Sequence, residues 1–116
     1  MPNSFFKDTV STENLSERIV SIFERFRPQK IILFGSSARG DWDEFSDVDL
    51  IVVYDTQKRF MDRLKELYLS WDIPRAVDIL AYTPDEFHRM MDESCFLQDA
   101  VKYGKVIYDE TVKSLL

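Results

Sequence analysis

Lys30-Ile31-Ile32-Leu33-Phe34-Gly35-Ser36 and, after a polar interval, Asp47-Val48-Asp49-Leu50-Ile51-Val52-Val53-Tyr54 are the stretches whose reading decides the fold. The first is a short apolar run halted by glycine, the pattern of a buried strand feeding a tight turn. The second opens on two acids and continues as an apolar, β-branched run, a second strand with a charged mouth. Upstream, Ser11 or Thr12 can cap a helix in which Leu15, Ile19, Ile22, Phe23 and Phe26 recur at helical spacing until Pro28 stops it. Between the two strands, Ser36-Ser37-Ala38-Arg39 suits the first turn of a short helix ended by Gly40, and residues 41–46 form a polar loop.

Downstream, Phe60, Leu64, Leu67 and Tyr68 mark one face of a helix over 58–70, and Pro74 separates it from a third strand over 76–82. Thr83-Pro84-Asp85-Glu86 has a cap residue, proline at the first helical position and glutamate at the third, the arrangement of a capping box. A helix to about 91, another over 94–103 closed by Gly104, and a last strand over 105–108 complete the chain. This order implies a layered α+β fold, helices packed on a mixed β-sheet, and residues 1–116 are expected to form a single domain.

Bulk composition narrows the function. With 116 residues, 45% of them hydrophobic and 14% aromatic, the chain can bury one core without staples. Its 21 acidic against 15 basic residues give a net charge of -6, which disfavours direct nucleic acid binding, because that needs clustered Lys and Arg to displace counterions. A polyanionic ligand would therefore need a metal to bridge it. Cys95 stands alone, which excludes an intramolecular disulfide and a cysteine zinc site, and it reads as a small buried apolar side chain in a reducing compartment. Residues 1–7 lack a signal-peptide pattern and no apolar run approaches the ~18 residues that span a bilayer, so the expectation is a cytoplasmic protein without a membrane partner.

Three features carry chemistry. At Gly35-Ser36, a residue without Cβ lets the backbone turn and approach a ligand, and the following N–H groups with the Ser36 hydroxyl can cradle an anion; a purely structural turn is the competing interpretation. Asp47 and Asp49 project to the same side of a strand, about 7 Å apart along it, where they repel each other and resist desolvation. A bound cation removes both costs, and Mg²⁺ takes one or two carboxylates plus phosphate oxygens; a solvated loop end is the alternative. Asp78 lies inside an otherwise apolar strand, where it either converges with Asp47 and Asp49 or forms a salt bridge with Arg75 or Lys30. A carboxylate triad is what in-line phosphoryl or nucleotidyl transfer requires.

Gly35-Ser36-Ser37-Ala38-Arg39-Gly40, Ser46-Asp47-Val48-Asp49-Leu50 and Val77-Asp78-Ile79, in that order, resemble the signature of the nucleotidyltransferase superfamily that includes DNA polymerase beta. More narrowly the chain is similar to the minimal nucleotidyltransferase (MNT) proteins of prokaryotes, and residues 96–108 resemble that family's closing helix and strand. The resemblance implies a polymerase beta-like palm fold, ATP as substrate and two Mg²⁺ ions on Asp47 and Asp49. It implies Asp78 as the third metal or base carboxylate, and Gly35 and Ser36 on the β- and γ-phosphates. Arg39 matches a common family arginine that either steadies the triphosphate or pairs with a nearby acid. Ser37 stands where some relatives carry a basic residue.

By the same resemblance the partner is a HEPN-domain protein from a neighbouring gene, a toxin that the chain neutralises as antitoxin by adenylylation. Two other functions compete: a silent module that neutralises its partner by occlusion, and half of an aminoglycoside-like small-molecule transferase. A chain of 116 residues is expected to lack room for a separate acceptor-binding domain, so the expectation is that a partner, or a second copy in a homo-oligomer, presents the acceptor hydroxyl. His88, without a second His or Cys at ligand spacing, reads as a solvent or core residue, Trp42 as a packing anchor or a cover over a base, and Phe5, Phe6, Met90 and Met91 as core or partner-facing.

Overall fold

The computed structural model describes residues 12–35 and 47–111. Phe5, Phe6 and Ser11, together with Ser36, Ser37, Arg39 and Trp42, lie outside the described residues. Helix α1 (Thr12–Phe23) runs through a 3-10 turn (Glu24–Phe26) to β1 (Lys30–Phe34). Then come β2 (Val48–Val53), α2 (Phe60–Ser70), β3 (Val77–Tyr82), α3 (Pro84–Glu93), α4 (Cys95–Tyr103) and β4 (Lys105–Asp109). Every expected strand and helix that falls on the described residues is present, within a residue or two at its ends; the short helix expected from Ser36 to Arg39 lies outside the described residues. Among the described residues no helix is long and apolar enough to cross a membrane.

The strands form a mixed sheet in the order β3-β2-β1-β4. β1 pairs antiparallel with both β2 and β4, while β2 and β3 run parallel, joined by α2 as the crossover a parallel pair needs. Alternation along the strands separates two cores. On one face Ile31, Leu33, Val48, Leu50, Val52, Ile79 and Ala81 pack under Leu15, Ile19 and Phe23 of α1 and Leu67 of α2. On the other, Ile32, Ile51 and Val53 pack against Leu97 and Ala100 of α4, with Phe87, Met90 and Met91 of α3 partly buried beside them. β2 is central, and it is buried at every position except Asp49.

Cys95 is exposed, contrary to its expected burial. It occupies the first turn of α4, whose inward stripe is Leu97 and Ala100, so position 95 is turned outward by helical periodicity. His88 is likewise exposed. Gly104 joins α4 to β4 where a Cβ would run into the carbonyl oxygens of Ala100 and Leu33, so glycine alone permits this close return to the sheet.

β3 is an edge strand, and α2 covers its open side. The Ile79 N–H donates to the Tyr68 hydroxyl at 2.9 Å, satisfying a backbone donor that the ladder leaves free. Arg63, buried on the inner face of α2, donates through Nε to the Lys58 carbonyl (2.8 Å). Its Nη1 and Nη2 grip both oxygens of Glu86 at 2.6 and 3.1 Å. Glu86 also closes the capping box of α3: its Oε1 accepts from the Thr83 N–H (3.0 Å) and its own N–H donates to Thr83 Oγ1 (3.2 Å). One carboxylate thus fastens α3 to its own first turn and to α2, and the Arg63 hydrogen bonds hold its carboxyl below the usual glutamate range.

Arg63→Ala should therefore cost about 2–3 kcal/mol and lower Tm by roughly 10 °C at neutral pH. Because the folded-state pKa of Glu86 is depressed, its contribution is present above the ordinary glutamate value and is lost as pH falls through the folded one. Thermal melts of both proteins from pH 7 to pH 3 should show the gap between them closing on the acid side; a gap that stays constant would contradict the assigned role of the pair.

Candidate functional site

β1 ends, and β2 and β3 begin, at the same edge of the sheet, and the acids gather there. Asp49 is the Cα partner of Phe34 in the antiparallel pair and of Asp78 in the parallel pair. Residues opposite each other on neighbouring strands turn their side chains to the same face, so Asp78, Asp49 and Phe34 form one row across the sheet, each a strand spacing of about 4.8 Å from the next. The face is the one covered by α3 and α4, since Ile51, Val53 and Leu80 follow Asp49 and Asp78 on it. Asp78 therefore lies beside Asp49. Lys30, one of its candidate salt-bridge partners, sits at the opposite end of β1, 4.0 Å from Asp109.

Asp47 precedes β2 by one residue, and the Val48 N–H donates to the Ala76 carbonyl at 2.9 Å, so sheet pairing extends right up to it. Asp47 and Asp78 are exposed and Asp49 is half-buried. Burial, then the charges of Asp78 and Asp47, push the Asp49 carboxyl above its ordinary range. Burial is the larger cause, and the two neighbouring carboxylates add to it.

Gly35 completes the geometry. It turns the chain after β1 with φ of 73°, a left-handed conformation that glycine adopts without strain. A Cβ at this position would also fall on the Asp49 carboxylate. The bare backbone of the turn is thus in direct apposition to the half-buried acid. Ser36 and Arg39, the other expected binding residues, lie outside the described residues.

Among the described residues no three His, Cys, Asp or Glu side chains are gathered into a cage for a metal ion. Carboxylate oxygens are hard donors, of which Mg²⁺ takes one or two beside other ligands. At the end of the row the ring of Phe34 meets Phe96 of α4 edge to face, with centroids 5.8 Å apart and planes at 85°. Sequence periodicity did not single out Phe96, because it sits beside Leu97 on α4 and differs from it only in which way the helix turns it: Leu97 is fully buried and Phe96 is 56% exposed.

The family profile for the nucleotidyltransferase domain matches residues 13–111. MJ0604 of Methanocaldococcus jannaschii, assigned as a protein adenylyltransferase, is 33% identical over 85 residues, which cover 72% of this chain and 82% of that one. MntA of Haemophilus influenzae, with the same assignment, is 30% identical over 93 residues, 76% of this chain and 81% of that one. Among solved structures, a protein of Sulfolobus solfataricus assigned as a nucleotidyltransferase superposes with a TM-score of 0.53 at 24% identity, covering 72% of this chain and 78% of that one. A chain of a toxin-antitoxin crystal structure with AMP-PNP superposes with a TM-score of 0.60 at 23% identity, covering 81% and 73%. At these identities the superpositions establish the fold. The match along residues 13–111 and the two relatives covered over most of their length show that the chain belongs to the nucleotidyltransferase domain family, as a minimal nucleotidyltransferase on a polymerase beta-like fold.

Proposed function

We propose that this protein transfers AMP from ATP to a hydroxyl of a partner protein, a HEPN-type toxin encoded by a neighbouring gene, and so acts as its antitoxin in the cytoplasm. The observation that supports this most is the in-register pair Asp49 and Asp78 at the mouth of β2 and β3, with the bare Gly35 turn against Asp49. The relatives assigned as protein adenylyltransferases support the choice of a protein acceptor. The toxin-antitoxin neighbour with AMP-PNP supports the pairing with a toxin and a nucleotide.

Asp47 and Asp49 would hold two Mg²⁺ ions, which when bound supply charge neutralisation for the triphosphate. Fit to the metal rests on the carboxylate oxygens themselves and on the raised pKa of Asp49, a group whose anion needs a cation to offset burial and its acidic neighbours. The Gly35 turn would present backbone N–H groups to the β- and γ-phosphates, joined by the Ser36 hydroxyl and steadied by Arg39. Asp78, the exposed member of the row, would accept the proton of the acceptor hydroxyl. The acceptor oxygen then bonds to the α-phosphorus, the bond from that phosphorus to the β-phosphate bridging oxygen breaks, and pyrophosphate leaves.

Incubation with α-labelled ATP, Mg²⁺ and the product of the adjacent reading frame should label that product, and Asp47→Asn or Asp78→Asn should reduce labelling by about a hundredfold or more. A tight complex that never acquires label would point to occlusion instead. Gly35→Ala should cost about 1–2 kcal/mol for the left-handed backbone alone, and it should abolish ATP binding in a titration even at temperatures where the variant is folded. Retained affinity would remove Gly35 from the site. Finally, protons compete with the metal at Asp49, whose raised pKa makes its anion costly in the metal-free protein and the more so as pH rises through that value. The increase in Tm caused by Mg²⁺ with ATP should therefore grow from pH 4 to pH 7 (~ the carboxylate range upward), and Asp49→Asn should flatten that growth.

A further inference from the structure

The acidic row of β3 and β2 ends on an aromatic pair. Phe34, the register partner of Asp49, is partly buried against the core under α4, and it braces Phe96 edge to face at 5.8 Å. Phe96 is held from the other side by its place in the first turn of α4, where Ser94 caps the helix by accepting from the Leu97 N–H at 3.1 Å. Its ring thus has an aromatic neighbour on one side while 56% of the residue remains in water. Other exposed apolar side chains, such as Met61 and Leu69 on the outer side of α2, have no aromatic brace among the contacts of the described residues and stand on the helix that covers the opposite face.

We propose that the open face of Phe96, braced by Phe34, is the stacking platform for the base of the nucleoside triphosphate. The inference rests on the reading of Gly35, Asp47 and Asp49 as the phosphate and metal end of the site. One strand spacing separates Asp49 from Phe34, and one ring contact separates Phe34 from Phe96, so the platform lies on the order of 10 Å from the carboxylates. That is the reach from an α-phosphate across a ribose to its base. A π-face accepts any base and discriminates by stacking strength, not by hydrogen-bond pattern, so the substrate class is a purine nucleoside triphosphate preferred over a pyrimidine one. A ring already packed against a second aromatic also loses less freedom when a base stacks on it than an unbraced side chain would.

The test separates the base from the phosphates. Calorimetric titration of the wild type, Phe96→Ala and Phe96→Tyr uses ATP, CTP and inorganic tripolyphosphate, each with Mg²⁺. Phe96→Ala should weaken ATP binding by roughly tenfold and leave tripolyphosphate binding unchanged. Phe96→Tyr should restore ATP affinity, and ATP should bind the wild type more tightly than CTP. Unchanged ATP affinity in Phe96→Ala would overturn the platform and leave Phe96 to a protein partner. An equal loss for ATP and tripolyphosphate would overturn it too, as the mark of a structural defect. If the wild type binds ATP in a Phe96-dependent way but ignores tripolyphosphate, the phosphate-metal assignment fails while the platform stands; if it binds neither, both fall.

Discussion

The parallel pairing of β2 with β3 is the constraint on which the acidic end of the molecule depends. Register alone sets Asp49 against Asp78, and nothing in an isolated strand would bring these carboxylates together. The arrangement is costly: β2 is an interior strand covered on both faces, and its half-buried acid meets repulsion from both Asp78 and Asp47. It persists because the strands around it are held by two cores, one on each face of the sheet. Strain of this kind concentrates where chemistry is done, since a group that is uncomfortable without its ligand binds that ligand with a gain.

Holding Asp78 in place is a separate problem, because β3 is an edge strand with only β2 as a neighbour in the sheet. Helix α2 solves it from the side. Tyr68 takes the free N–H of Ile79, the residue next to Asp78, and Arg63 reaches across to Glu86 at the start of α3. Between them on the same helix Glu66 anchors Tyr54, whose hydroxyl donates to it at 2.7 Å. Polar groups thus clamp α2 onto the edge while Leu67 and Leu64 pack beneath it. The charged side chains in the clamp are satisfied by hydrogen bonds, which is what allows Arg63 to be buried at all.

Much of the fold was legible in the residues. The apolar run 30–34 with its glycine stop, the alternation after Asp47 and the Thr83-Pro84-Asp85-Glu86 cap are local signals, and each describes a conformation that a short segment prefers by itself. The acids of the row were legible for a related reason: a carboxylate inside an apolar strand stands out wherever the strand goes. Arg63, Cys95 and Phe96 were not legible. All three sit on helices, where one residue rotates a side chain by 100°, so burial depends on where the neighbouring elements dock and not on the residue type. Arg63 carries a charge and is buried, whereas Cys95, apolar in character, is exposed.

What the sequence determined by itself is the set of elements, the mixed α+β class and the identity of the acids, because hydrophobic period, glycine and proline punctuation and capping chemistry all act over a few residues. What only the tertiary structure decided is adjacency: that β2 and β3 pair parallel and in register at Asp49 and Asp78, that Gly35 leaves its side-chain space to the Asp49 carboxylate, and that Phe34 braces an exposed Phe96 at the end of the row. Those relations join residues far apart in the chain. They follow from how whole faces bury against each other, a property that no local stretch of sequence contains.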